Sequence, residues 1–189
     1  MASSLGCYVF VDGGYVRAEM VDAGYSDEFD PRVVQRMIAD HHEQQGYIVL
    51  GPYTTRRTLY YDALDEDAPE EEQRRRRDYF RRLQSLPYTH VVLGEVRKTG
   101  KKNRGQKGVD VHLAVDALQA ASSGVADVIV LVSGDADFVP LVRAVRNTGP
   151  FVFVAGVSRS LSEALAQEAD LVMTLSPSDR WVLQQETAS

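Results

Sequence analysis

Four aspartates stand where carboxylates can do chemistry: Asp12, Asp110, Asp135 and Asp137. Asp12 closes the apolar run CYVFV and is followed by two glycines, and Asp110 comes just after a lysine-rich stretch. Asp135 and Asp137 follow Ser133-Gly134 in DVIVLVSGDADFVP, residues 127–140. Carboxylates that converge without His or Cys form a hard oxygen site, suited to Mg²⁺ or Mn²⁺ and poorly to Zn²⁺. Such an ion neutralises phosphate charge and deprotonates a bound water, the chemistry of metal-dependent nucleases. The competing reading is that these acids are helix caps and loop residues, as some of the 27 Asp and Glu must be. One cap needs one acid. Asp135 and Asp137 are two residues apart and repel each other unless a cation lies between them.

The elements that would carry these residues follow from the pattern of the chain. Residues 128–133 are apolar or β-branched but for the serine, a run expected of a strand buried on both faces of a parallel sheet. Phe138, Val139, Leu141, Val142 and Val145 then recur at helical spacing, so a helix is predicted from about residue 135. Acids at the carboxyl end of a central strand lie where open α/β sheets bind ligands. Residues 7–11 form a short strand ending in a tight Gly-Gly turn, where backbone approaches a ligand closely, and 15–21 a short helix closed by Gly24. Asp30-Pro31 opens the next helix, which ends near Gly46. Strands are expected over 47–50, 58–61, 91–94, 151–155 and 171–175. Asp62, after the second of these, is a further acid at a strand end. Ser160 and Glu163 are spaced as a capping box for a helix to about residue 168. The tail from Ser176 either docks through Trp181 or frays.

The helix predicted over 109–121 sets a limit on the acids. Asp110 and Asp116 are six residues apart, about 600° of rotation, and so lie about 120° apart around the axis. They cannot both point into one site. Asp110 is the better candidate, and Asp116 is expected to pair with His112 on a flank.

Two basic stretches bear on a polyanionic substrate. Arg74 to Arg77 follow a run of acids, an order that matches the helix dipole, and read as a solvated helix face. Residues 95–108, EVRKTGKKNRGQKG, have no hydrophobic periodicity and read as a mobile basic loop. Within it Lys98, Lys101, Lys102, Arg104 and Lys107 are assigned to contacts with substrate phosphates.

The chain has 189 residues, of which 44% are hydrophobic, and a net charge of −6. That size supports one domain with a substantial core. An acidic protein is no general polycation, so a polyanion must be held by a local basic patch or by metal ions. The single Cys7 allows no internal disulfide, is expected to be a buried small hydrophobe, and suits a reducing, cytoplasmic setting. No apolar run approaches the roughly 20 residues of a membrane span, and no secretion signal is visible. A dehalogenase-type phosphatase needs Asp-x-Asp, but Gly14 stands at the second position. A dinucleotide fingerprint G-x-G-x-x-G is absent after the first strand.

Three blocks, YVFVDGG (8–14), KGVDVHLAVDAL (107–118) and LVSGDADFVPLVRAVRNTGPFVFVAG (131–156), together resemble the NYN domain, LabA-type branch, of the PIN-like nuclease superfamily. The SGDxDF block with the V-P-L-V-x-x-V-R-x-x-G that follows is the specific part. The resemblance implies a PIN-like three-layer α/β/α sandwich with a mostly parallel sheet, here one domain over residues 1–176 with a tail over 177–189. It implies Mg²⁺- or Mn²⁺-dependent cleavage of RNA, with RNA as partner and a homo-oligomer allowed. The acidic cluster falls on Asp12, Asp110, Asp135 and Asp137, with Ser133 placed to orient the acids and Asp116 behind them. A binding or regulatory module that keeps the fold without turnover is the alternative. The family's first block commonly reads Asp-Gly-x-Asn; here Tyr15 takes the place of that amide.

Overall fold

The computed structural model describes residues 4–45, 53–99 and 103–183. Its β-branched runs line up side by side in one sheet. In chain order the elements are β1 (Leu5–Asp12), α1 (Gly13–Asp22), α2 (Arg32–Gln45), β2 (Tyr53–Leu64), α3 (Glu70–Ser85), β3 (Thr89–Thr99) and β4 (Asn103–Lys107). There follow α4 (Val109–Ser122), β5 (Val128–Val132), α5 (Val139–Arg146), β6 (Phe151–Val157), α6 (Glu163–Glu168) and β7 (Leu171–Leu175). The strand order is β4-β3-β2-β1-β5-β6-β7, with every pairing parallel except β3 with β4. The chain builds outward from β1 through β2 and β3, then crosses back to place β5 on the other side of β1. The β1–β5 seam is therefore the topological switch point of the sheet, where such folds leave a crevice at the carboxyl ends.

Period-two alternation divides the core into two layers. Val9 and Val11 of β1 and Val128, Val130 and Val132 of β5 face Val16, Met20, Val34, Tyr79 and Leu83 of the first three helices. Phe10, Ile129 and Leu131 face Leu113, Ala117, Val142, Val145 and Leu165 on the other side. All five residues of β5 are buried, as its unbroken apolar sequence requires. The result is a three-layer α/β/α sandwich. Cys7 is buried, and burial pushes its thiol up to about 12, leaving it inert. Among the described residues no helix is long and apolar enough to cross a membrane.

Several local expectations are corrected. The helix after β1 starts at Gly13, so the two glycines form its first turn. A Cβ at Gly13 would lie 2.6 Å from both the Tyr60 ring and the Tyr61 carbonyl, so the glycine lets α1 start close against strand β2. The basic stretch is a hairpin, with Glu95 paired to Lys107, Lys98 to Arg104 and Thr99 to Asn103. An antiparallel ladder satisfies the backbone whatever the side chains, and a charged edge strand resists pairing with other chains. Lys101 and Lys102, and the strand expected over 47–50, lie outside the described residues. The second strand is 12 residues long, not four.

Arg76 departs from the solvated face predicted for residues 74–77. It is buried, its guanidinium 4.7 Å from the Phe80 ring centre and 5.0 Å from that of Tyr79. Ser160 forms no capping box: α6 begins after Ser162, without a side-chain cap bond. The tail docks. Trp181 packs edge-on against Phe29 at 5.6 Å, and its carbonyl accepts the Asp30 N–H at 2.7 Å.

Candidate active site

Each acid is delivered by an element whose sequence explains its place. Asp12 ends β1, and its Oδ1 caps α1 by accepting the Tyr15 N–H at 2.9 Å. Its Oδ2 accepts the Ser133 hydroxyl at 3.0 Å from the end of the neighbouring β5. Ser133 is fully buried, and its Oγ accepts the Asp135 N–H at 3.2 Å. Asp135 then caps a 3-10 turn, Ala136–Phe138, by accepting the Asp137 N–H at 2.9 Å. One serine hydroxyl thus links Asp12 to the turn that carries Asp135 and Asp137. Gly134 is required there: a Cβ would lie 2.5 Å from the Ser160 carbonyl and 2.8 Å from the Tyr15 ring. Asp110 sits in the first turn of α4, which has Gly108 at its cap position.

Electrostatics couples the four positions. Burial pushes the Asp12 carboxyl up to about 6; the bonds from Tyr15 and Ser133 pull it down, and the charges of Asp110 and Asp62 add to the rise. Asp110 is raised by partial burial, then by the charges of Asp135 and Asp137. Direct ligation is a stricter condition. Among the described residues, no three His, Cys, Asp or Glu side chains lie close enough together to hold one ion. The donor chemistry nevertheless suits a hard cation. Each Asp12 oxygen accepts one hydrogen bond and keeps lone-pair capacity, and Asp135 and Asp137 are exposed. An ion such as Mg²⁺, which keeps several of its waters, tolerates wide carboxylate spacing.

Asp116 stands apart from the acids. Its carboxylate accepts the Tyr61 hydroxyl at 2.8 Å, on the wall of a groove shared with Tyr8, Phe10, Arg57 and Gln119. Among the described residues no ion pair joins it to His112. Of the basic residues, Lys98 lies in β3, and Arg104 and Lys107 in β4. Strand β2 ends opposite Glu95, so the paired stretches 95–99 and 103–107 run past the carboxyl edge of the parallel sheet. That is the edge on which Asp12 and Ser133 stand.

Two features escaped the sequence. Tyr15 is a strut: its hydroxyl accepts the Val157 N–H at 2.8 Å, contacts Ser160 Oγ at 2.8 Å, and its ring lies over Gly134. It ties the start of α1 to the end of β6 across the turn that bears Asp135. Asp62, fully buried two residues before the end of β2, pairs with Arg76 at 2.5 Å and Arg17 at 3.6 Å. Its place near a strand end was legible; its two arginines, from separate helices, were not.

The fold agrees with the comparison of the chain with known proteins. The NYN domain matches residues 7–176. The chain belongs to the NYN domain family. At family level this places it among the PIN-like nucleases. A stretch of 67 residues is 39% identical to an uncharacterized protein of Methanocaldococcus jannaschii, and spans 35% of this chain and 28% of that protein's length. A crystal structure of a Vibrio parahaemolyticus protein of unknown function superposes with a TM-score of 0.62, covering 97% of this NYN chain and 100% of the other. At 22% identity that likeness speaks for the fold alone.

Proposed function

We propose that this NYN protein, read as a LabA-type member, is a metal-dependent ribonuclease that hydrolyses phosphodiester bonds of RNA. The observation that supports this most is the Ser133 bridge, which joins Asp12 to the Asp135 turn at the switch point of the sheet. In this reading Asp12, Asp110, Asp135 and Asp137 hold Mg²⁺ or Mn²⁺, which when bound would offset phosphate charge and acidify a water. Asp12 is the fixed member, held at both oxygens; Asp135 and Asp137 face solvent and meet the substrate side. Ser133 orients the acids, Tyr15 holds their turn in place, and Asp116 steadies Tyr61 beside the strand that carries Asp12. Lys98, Lys101, Lys102, Arg104 and Lys107 lead single-stranded or structured RNA toward the acids. The domain spans residues 1–176, with 177–189 as its tail, in a cytoplasmic protein that acts alone or as a homo-oligomer.

A second reading is an RNA-binding or regulatory module without turnover. It is favoured by Tyr15 in place of the family's amide and by the wide spacing of the acids. Purified protein incubated with single-stranded RNA in Mn²⁺ and in EDTA separates the two, with Asp135→Asn as control. The ribonuclease reading expects cleavage by the parent in Mn²⁺ only, and none by the variant. RNA that is bound but intact in Mn²⁺ would favour the module.

A further inference from the structure

Asp62 gathers two guanidinium groups at the carboxyl edge of the sheet, and they are not equivalent. Arg76 is committed to the fold: it is buried, 2.5 Å from Asp62 Oδ2 and 3.5 Å from Asp27 Oδ2, and packed against two aromatic rings. Arg17 approaches Asp62 Oδ1 only to 3.6 Å, longer than a hydrogen bond, and its side chain is 36% exposed. Asp27 faces the same group, its carboxyl lowered, against burial, by Arg75 and then by the charges of Arg76 and Arg17. Two carboxylates thus meet three guanidinium groups, and Arg17 is the one held by no hydrogen bond to either acid.

The position of Arg17 follows from its helix. Side chains of an α-helix tilt towards its N-terminus. Arg17 lies one turn into α1, so it reaches back to the edge where Asp12 caps that helix. Asp62 follows Tyr61, the residue paired with Asp12 across β1 and β2. The guanidinium therefore sits over β2, between the basic hairpin on one side and the acids of β1 and β5 on the other. With strands about 4.8 Å apart, the line from β4 to β5 is about 19 Å long. An unassisted carboxylate cluster repels a phosphodiester; a tethered guanidinium beside it supplies a planar fork matched to phosphate oxygens.

We infer that Arg17 is a substrate-contact residue, held by Asp62, that binds a phosphate of single-stranded RNA next to the bond cleaved at the acids. The inference rests on the ribonuclease reading above. It also gives the substrate a direction, along the carboxyl edge from the hairpin over β2 to the β1–β5 seam.

The test is binding of a labelled single-stranded RNA oligonucleotide in EDTA, where affinity is read without cleavage, over a salt series. The parent, Arg17→Gln and Arg17→Lys are compared, and their melting curves are recorded alongside. The expected result is about tenfold weaker binding by Arg17→Gln. Its log–log salt slope should be shallower by about 0.7, the share of one phosphate on a single strand. Arg17→Lys should keep the slope and lose about two- to threefold, having charge but no fork. Arg17→Gln should melt with the parent, because Arg76 still holds Asp62. Should it fail to fold, Arg17→Lys decides, and parental affinity in that variant overturns the inference. A parent that binds RNA while Arg17→Gln matches it in affinity and slope overturns the role of Arg17 and leaves the ribonuclease reading standing. A parent that neither binds RNA in EDTA nor cleaves it in Mn²⁺ overturns both.

Discussion

Ser133 Oγ stands 3.0 Å from Asp12 Oδ2 across the seam between β1 and β5, with both groups buried. The hydroxyl donates to Asp12 and accepts from the Asp135 N–H, so it fixes two acids with one rotor. A structural cap needs no such link. Asp12 caps its helix through Oδ1 alone, and the second oxygen is engaged by the neighbouring strand.

Metal-free stability should fall as pH rises through the Asp12 titration. The carboxyl is pushed up to about 6 in the fold, mainly by burial, against about 4 in the unfolded chain. The fold therefore binds more protons than the unfolded chain between these values. The associated stability is present in full below about 4 and lost as pH passes about 6, a change of about 3 kcal/mol. Asn caps a helix as well as Asp, so Asp12→Asn should keep the cap and flatten the pH dependence, leaving only the part that the raised carboxyl of Asp110 contributes. Melting curves in EDTA between pH 4 and 7 check this. Parallel curves for parent and variant would mean that Asp12 does not titrate as buried.

Tyr15→Phe should destabilise the protein without altering its shape. It leaves the Val157 N–H, on a buried residue, without its hydroxyl partner. That loss costs about 1–3 kcal/mol, and at about 2–4 °C per kcal/mol for a chain of this size the melting point drops accordingly. Tyr15→Asn restores the residue common in the family but also removes the ring over Gly134, so it should melt lower still. A Tyr15→Phe protein that melts with the parent would show that the strut does not matter.

The four arginines from Arg74 to Arg77 should differ sharply on replacement by alanine. Arg76→Ala takes the nearer guanidinium from the buried Asp62, and breaking a buried pair costs about 3–5 kcal/mol. Arg74→Ala and Arg77→Ala, on the exposed face, should change stability by about 0.5 kcal/mol or less. Equal effects at all three positions, read from denaturant midpoints, would contradict the packing described for α3.

What the sequence disclosed is what local pattern encodes. The unbroken apolar run of β5, the stripe of α4 and the acids at strand ends are one-dimensional signals, and they led to the sheet and to its carboxyl edge. What stayed hidden depends on partners far apart in the chain. Tyr15 finds Val157 and Ser160 across the β1–β5–β6 layers, and Asp116 finds Tyr61 instead of His112 four residues away. Arg76 looked like one more charge in a solvated run, because the sequence does not show that Asp62 waits beneath it. The basic hairpin has no apolar alternation in its sequence, and its pairing is a backbone ladder, which hydrophobic periodicity does not encode.

The central claim, that Asp12 and the Asp135 turn hold a divalent cation with Asp110 and Asp137, is tested most directly by calorimetric titration of Mn²⁺. It should be run near pH 6, where about half of the Asp12 carboxyls are protonated, on the metal-free parent and on Asp12→Asn. The parent should bind and release protons as it does so, because a carboxyl with its pKa near 6 must ionise fully to ligate. Asp12→Asn should lose most of the affinity and that proton release. Equal binding by both proteins, or no binding by the parent at millimolar Mn²⁺, would contradict the claim.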